Sequence, residues 1–179
     1  MSKLPMNLPN KITIARILLI PLYLVLMAVM DTQTNWAAAI VFVIASATDW
    51  IDGQIARKHN MVTDFGKFID PIADKLLVLL PMIYLATQGG VIDVWAVIIM
   101  VAREIIVSGF RLVAVGKGNV IAAGWTGKVK TTVQMLAVLL LTLGLYTLGW
   151  WAAWIAAFLS LYSGLEIIIK NRSVLEEGI

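Results

Sequence analysis

The sequence has no cysteine, a single histidine, and little charge: 14% of its 179 residues are Asp, Glu, Lys or Arg. Without cysteine there is no disulfide and no thiolate metal site, so carboxylates are the main metal ligands left. Carboxylate oxygens favour hard ions such as Mg2+ or Mn2+. Scarce charge beside 60% hydrophobic residues and a mean hydropathy of +0.89 argues against a soluble globular protein and for an integral membrane one. No soluble domain, low-complexity run or clear repeat breaks the pattern, and nothing in it asks for a nucleic-acid partner. The first apolar run carries Arg16 and Pro21 and lacks a small-residue cleavage pattern, so it is not expected to be a cleavable leader.

What is present is apolar sequence in six segments, at 10–30, 36–58, 65–88, 91–116, 125–148 and 150–170. At about 1.5 Å per residue, each is long enough to cross roughly 30 Å of hydrocarbon. The breaks are polar or rich in Gly and Asn, the weakest being Leu148–Gly149. The expected fold is an all-α integral membrane protein of six transmembrane helices, forming one domain over residues 1–179. All 14 Lys and Arg lie in the N-terminal segment, the 58–64 and 116–124 links, the C-terminal segment or the adjoining helix ends. The opposite links carry Asp31 and Asp93 and no basic residue. The excess of Lys and Arg on one side predicts that both termini are cytoplasmic. Trp36, Trp95, Trp150 and Trp151 then fall near the outer interface and Trp125 near the inner one, as an aromatic belt requires.

The most informative stretch runs from Asp49 to Asp74, DWIDGQIARKHNMVTDFGKFIDPIAD. Its aspartates sit inside or beside apolar segments, where carboxylates are expensive and therefore mark function by default. Asp49 and Asp52 are i,i+3, and Asp70 and Asp74 are i,i+4, so each pair shares a helix face. A hairpin turn near Met61 and Val62, with His59 solvated beside it, would bring all four to one depth between two antiparallel helices. Like charges that close need cations between them, and divalent metal is the simplest answer. The plainer alternatives are a polar helix hairpin or an intramembrane ion or proton pathway.

Written as a pattern, the stretch is Asp49-x2-Asp52-Gly53-x2-Ala56-Arg57-x8-Gly66-x3-Asp70-x3-Asp74. It resembles, without gap or substitution, the signature of the CDP-alcohol phosphotransferase family, D-x2-D-G-x2-A-R-x8-G-x3-D-x3-D. Eight fixed residues over 26 positions make this a specific match, and the resemblance covers essentially the whole chain. It implies a six-helix membrane core with the motif on the second and third helices. It also implies transfer of a phospho-alcohol or phosphatidyl group from a CDP-linked donor to an alcohol, with release of CMP. The metal ligands implied are Asp49, Asp52, Asp70 and Asp74, holding two ions of Mg2+ or Mn2+, with Asp74 also the catalytic base. Asn10, Thr13, Asp52, Gly53, Ala56, Arg57 and Gly66 are implied to bind the CDP part. Gly53 and Gly66 suit that role because they remove side chains where a nucleotide approaches the backbone. For Asn10 and Arg16 the plainer alternative is a helix N-cap and a snorkelling cation.

Within the family, the Asn-Leu-Pro-Asn-Lys-Ile-Thr-Ile-Ala-Arg opening and the Gly127-Lys128-Val129-Lys130-Thr131-x2-Gln134 stretch resemble bacterial members that use CDP-diacylglycerol and sn-glycerol 3-phosphate. A phosphorylated acceptor needs fixed cations. Arg103 and Arg111 are eight apart, hence on one face, and Lys130 and Gln134 are i,i+4. With Lys67 they form the expected acceptor-phosphate set, the alternative being basic flanks plus an Arg103–Glu104 pair. Members whose acceptor is an inositol phosphate stay open as a second reading, and an ion transporter with an acidic site as a third. The resemblance further implies a homodimer in the bacterial cytoplasmic membrane, in contact with membrane lipid, its active site facing the cytoplasm.

Overall fold

The computed structural model describes residues 8–30, 34–58, 64–122 and 124–176. Within those helices, the side chains at 8–9, 49–58, 64, 67 and 175–176 fall outside the description. The described residues form seven helices and no strand: α1 (Leu8–Val29), α2 (Trp36–Lys58), α3 (Asp64–Ala86), α4 (Val94–Gly116), α5 (Trp125–Thr142), α6 (Tyr146–Lys170) and the single turn α7 (Ser173–Glu176). The six apolar segments correspond to α1–α6. His59 and the turn expected at Met61 and Val62 lie outside the described residues.

One boundary differs from the sequence expectation. The break between the last two long helices is not at Leu148–Gly149 but at residues 143–145. Gly144 has φ +76, a left-handed backbone that ends α5 and that side-chain-bearing residues rarely adopt. Gly149 is instead an interior residue of α6, and a Cβ there would run into the Leu141 side chain of α5. Its lack of a side chain serves packing, not a turn.

Two compact units divide the chain: Met1–Tyr84 with Thr142–Leu145, and Leu85–Leu141 with Tyr146–Ile179. In the first, α1 packs along α2. Tyr23 lies against Phe42 with ring centroids 5.8 Å apart, and its hydroxyl is 2.7 Å from Thr142 Oγ1. Buried Asn35 is the N-cap of α2: its Oδ1 accepts from the Ala38 N–H at 2.9 Å. Its Nδ2 donates to the Leu26 carbonyl at 2.9 Å, and its own N–H donates to the Thr142 carbonyl at 3.0 Å. One residue, through its side-chain amide and its backbone N–H, thus satisfies backbone groups at three helix ends, as apolar surroundings demand.

In the second unit, α4 packs along α6. Asp93 caps α4 by accepting from the Trp95 N–H at 2.9 Å. At the other end Gly118, at φ +79, closes the helix. The Asn119 N–H donates to the Ala114 carbonyl, and the Gly118 N–H to that of Val115, the paired bonds of a Schellman stop.

On α1 and α6 burial departs from that of a soluble helix, with polar and small residues enclosed and many large apolar ones exposed. α6 buries Ala152, Ala153, Ala156, Ala157, Ser160, Ser163 and Gly164 and exposes Trp151, Ile155, Phe158, Tyr162, Leu165 and Ile169. α1 buries Asn10, Thr13 and Arg16 and exposes Leu18, Leu22, Val25 and Val29. In water, six large apolar residues left outside on one helix would forgo roughly 10 kcal/mol of burial. That is comparable to the whole net stability of a domain, about 5–15 kcal/mol. Against lipid there is no such loss, and small residues let helices approach closely. Among the described residues, Asn10–Val29 and Tyr146–Lys170 are each long and apolar enough to cross a membrane by length and composition alone.

Candidate active site

Asp49 and Asp52 stand three residues apart in the last part of α2, and Gly53, Ala56 and Arg57 follow in the same helix. The side chains at these positions, and that of Lys67 in the first turns of α3, lie outside the description. Gly66, Asp70 and Asp74 lie on α3, with Gly66 buried. Pro71, between the two aspartates, withholds the N–H that would pair with the carbonyl one turn back.

Asp70 and Asp74 meet α1. Thr13 Oγ1 donates to Asp70 Oδ1 at 2.8 Å, and Arg16 Nη1 donates to Asp74 Oδ1 at 2.6 Å. Asn10 and Thr13 are buried and Arg16 is 0% exposed, whereas the Asp74 side chain is 45% exposed. Arg16 therefore does not snorkel to a membrane surface. Its guanidinium is enclosed, and desolvation at that depth requires an anionic partner. Asn10 is not an N-cap either, because α1 starts two residues earlier, at Leu8. The i,i+3 spacing of Thr13 and Arg16 matches the i,i+4 spacing of Asp70 and Asp74, one helical turn on each side.

These residues fit a divalent cation. The ligands on offer are hard carboxylate oxygens. Asp70 and Asp74 are each oriented by a donor from a neighbouring helix, the outer support that ligating carboxylates ordinarily have. Among the described residues no group of three potential ligands assembles; Asp49 and Asp52, the other two expected ligands, lie outside the described side chains.

The second unit holds a separate polar cluster. Arg103 and Glu104 of α4 and Lys130 and Gln134 of α5 are buried, with Ser160 and Ser163 of α6. Glu104 Oε1 accepts from Arg103 Nη1 at 3.0 Å and also from Lys130 Nζ. Arg103 is held on its other edges: Nε donates to the Ser160 carbonyl at 3.2 Å and Nη2 to Ser163 Oγ at 3.0 Å. A Cβ on Gly164 would stand 3.0 Å from Arg103 Cγ, so the missing side chain leaves room for the arginine stem. Two cations share one carboxylate, which leaves the cluster one positive charge in excess. Among the described residues, the buried Gln134 Nε2 and Ser160 Oγ find no hydrogen-bond partner, nor does Arg111 Nε two turns along α4. Excess positive charge beside unused donors is the chemistry of an anion site. The expected Arg103–Glu104 pair is present, and Lys130 joins it.

Other basic residues have structural partners. Lys117 Nζ donates to the Val174 carbonyl at 2.6 Å, and Lys170 pairs with Glu166 at 2.5 Å, one turn away. Glu166 also accepts from Thr126 at 2.6 Å, which ties α5 to α6. Arg16 as the partner of Asp74, and Ser160, Ser163 and Gly164 as the seat of Arg103, were not singled out from sequence. The available signal was a run of small residues at helical spacing on α6 that includes two serines.

Comparison with known proteins places these features in a family. The family model described as CDP-alcohol phosphatidyltransferase matches residues 6–162. A Bacillus subtilis protein named CDP-diacylglycerol–glycerol-3-phosphate 3-phosphatidyltransferase is 44% identical, over 95% of this chain and 97% of its own length. Proteins of the same name from Escherichia coli K12 and Shigella flexneri are each 38% identical, over 93% of this chain and 96% of their own.

Proposed function

The chain belongs to the CDP-alcohol phosphatidyltransferase family, and from that membership we propose that it transfers the phosphatidyl group of CDP-diacylglycerol to sn-glycerol 3-phosphate. The products are phosphatidylglycerophosphate and CMP, which places the enzyme in phospholipid biosynthesis. The observation that carries this reading is the agreement of relatives at 38–44% identity, nearly end to end, on one named activity. Six membrane spans with both termini cytoplasmic are supported by the large apolar residues exposed along α1 and α6 and by the one-sided Lys and Arg. The active site then faces the cytoplasm, in the bacterial cell membrane, where nucleotide and soluble acceptor are available. A homodimer follows from the family resemblance.

Asp49, Asp52, Asp70 and Asp74 would hold two divalent ions, Mg2+ or Mn2+. When bound, such ions neutralise pyrophosphate oxygens and activate an attacking hydroxyl. The chain's own residues do the rest. Asn10, Thr13, Asp52, Gly53, Ala56, Arg57 and Gly66 bind the CDP moiety. Arg103, Arg111, Lys130, Lys67 and Gln134 hold the acceptor phosphate and orient its hydroxyl. Asp74, part exposed, takes the hydroxyl proton as the oxygen attacks the phosphorus bearing diacylglycerol. The bond from that phosphorus to the oxygen of the departing nucleotide breaks, and CMP leaves with the electron pair. Arg57 offsets charge on the leaving phosphate.

The test is one assay: purified protein, labelled CDP-diacylglycerol, divalent metal and a panel of alcohols, with CMP as readout. Glycerol 3-phosphate is expected to be the productive acceptor. Preference for an inositol phosphate would reassign the acceptor within the family. Absence of CMP with every acceptor, together with metal-dependent ion flux in liposomes, would replace the enzyme reading with a transporter.

A further inference from the structure

The two aspartates of α3 are not held alike. Asp70 Oδ1 accepts from a neutral hydroxyl, that of Thr13. Asp74 Oδ1 accepts from a full cation, Arg16, at 2.6 Å. Both donors come from one face of α1, one turn apart, and both are buried, so neither contact depends on a mobile surface side chain. A hydroxyl orients a carboxylate and leaves its charge available to a cation. A guanidinium orients it and also neutralises part of that charge. The enclosed Arg16 is thus a permanent competitor for any ion that approaches Asp74, whereas Asp70 has none on its Thr13 side.

We propose that Arg16 is a positioning residue for the transfer reaction: through the α1–α3 contact it weakens the hold of Asp74 on a cation and fixes that carboxylate for its encounter with the acceptor hydroxyl. Asp70, oriented by Thr13, is left as the stronger ion ligand. The chemical difference between a hydroxyl and a guanidinium, set one turn apart on α1, gives the two aspartates an unequal hold on a cation. This inference rests on the transferase reading for its kinetic arm only. The other explanation for Arg16 is a clamp that merely joins α1 to α3, and it makes a different prediction.

The experiment uses the full chain in detergent or bicelles and compares wild type with Arg16→Met and Arg16→Lys. Mn2+ binding is measured by electron paramagnetic resonance without substrates, and CMP release gives kcat and both KM values. Removing the cation in Arg16→Met should tighten Mn2+ binding about fivefold while kcat falls about 100-fold, the range typical of groups that orient metal ligands. KM values should stay within about threefold, because the contact is to the carboxylate and not to either substrate. Arg16→Lys, which keeps the charge but not the planar fork, should return Mn2+ affinity to the wild-type value and recover about tenfold of the lost turnover. Opposite movement of ion affinity and turnover is the signature expected. Parallel loss of both in Arg16→Met, with no recovery in Arg16→Lys, would reduce Arg16 to a clamp, and unchanged turnover would remove it from the reaction. Should Arg16→Met not fold, Arg16→Lys decides alone: weakened Mn2+ binding there overturns the proposal. Wild type that releases no CMP would overturn the transferase reading, while the Mn2+ comparison would still test the competition between Arg16 and an ion.

Discussion

Glu104 pairs with two buried bases, and Glu104→Gln isolates what its charge does. The substitution keeps the shape of the side chain and removes the anion shared by Arg103 and Lys130. All three side chains are at most 10% exposed, so solvent screens the loss very little. Breaking a buried pair by neutralising one partner costs about 3–5 kcal/mol, because the remaining charge is left without compensation. Arg103 keeps its bonds to the Ser160 carbonyl and Ser163 Oγ, which argues for the lower end, about 3 kcal/mol. For a chain of this length that corresponds to a fall in melting temperature of about 6–12 °C. The assay is thermal unfolding in detergent, with and without glycerol 3-phosphate or inorganic phosphate. Since the variant cluster has lost one negative charge, an added phosphate should recover more stability in Glu104→Gln than in wild type. A variant melting within about 2 °C of wild type would refute the view that Glu104 holds the cluster together. Equal stabilisation of both proteins by phosphate would refute the assignment of an anion site to the cluster.

Three further predictions are shorter. Asp74→Asn should abolish CMP release while CDP-diacylglycerol still binds, measured by tritration of the donor in the absence of acceptor; normal turnover would exclude Asp74 as an essential base. Gly164→Leu should raise the KM for glycerol 3-phosphate about tenfold or more, because the new side chain occupies the space of the Arg103 stem; an unchanged KM would separate Arg103 from the acceptor. Asn35→Ala should lower stability by about 1–2 kcal/mol, the usual cost of losing a cap, with kcat preserved in the folded fraction, measured by melting and by turnover per folded protein.

The long helices were legible in the sequence because six apolar runs separated by polar or glycine-rich links have few other readings. The exception is instructive. Gly144 and Gly149 stand in similar apolar company, yet one turns the chain through a positive φ and the other receives Leu141. Nothing local separates those uses; the partner that distinguishes Gly149 sits on another helix. The motif aspartates were legible because carboxylates in apolar segments have few innocent explanations. Arg16 was not, because an arginine near a helix end fits snorkelling equally well until its burial and its partner on α3 are known. Ser160, Ser163 and Gly164 were missed for a related reason. Their contribution to Arg103 is a carbonyl, a hydroxyl and an empty space, and empty space leaves no mark in a residue string.

The smallness of the inner face of α6 has a consequence for how the protein can be altered. Along that helix two alphabets alternate. Outward positions such as Ile155 and Leu165 are exposed and can be exchanged among large apolar residues, so they belong to a surface that can be recoded for a different lipid or detergent. The buried positions from Gly149 to Gly164 are all glycine, alanine or serine, and a methyl added at Gly149 or Gly164 is taken from the space of Leu141 or of Arg103. A library confined to the outer alphabet would explore solubility while leaving the chemistry untouched, and one confined to the inner alphabet would reshape the seat of Arg103 without changing a single charge.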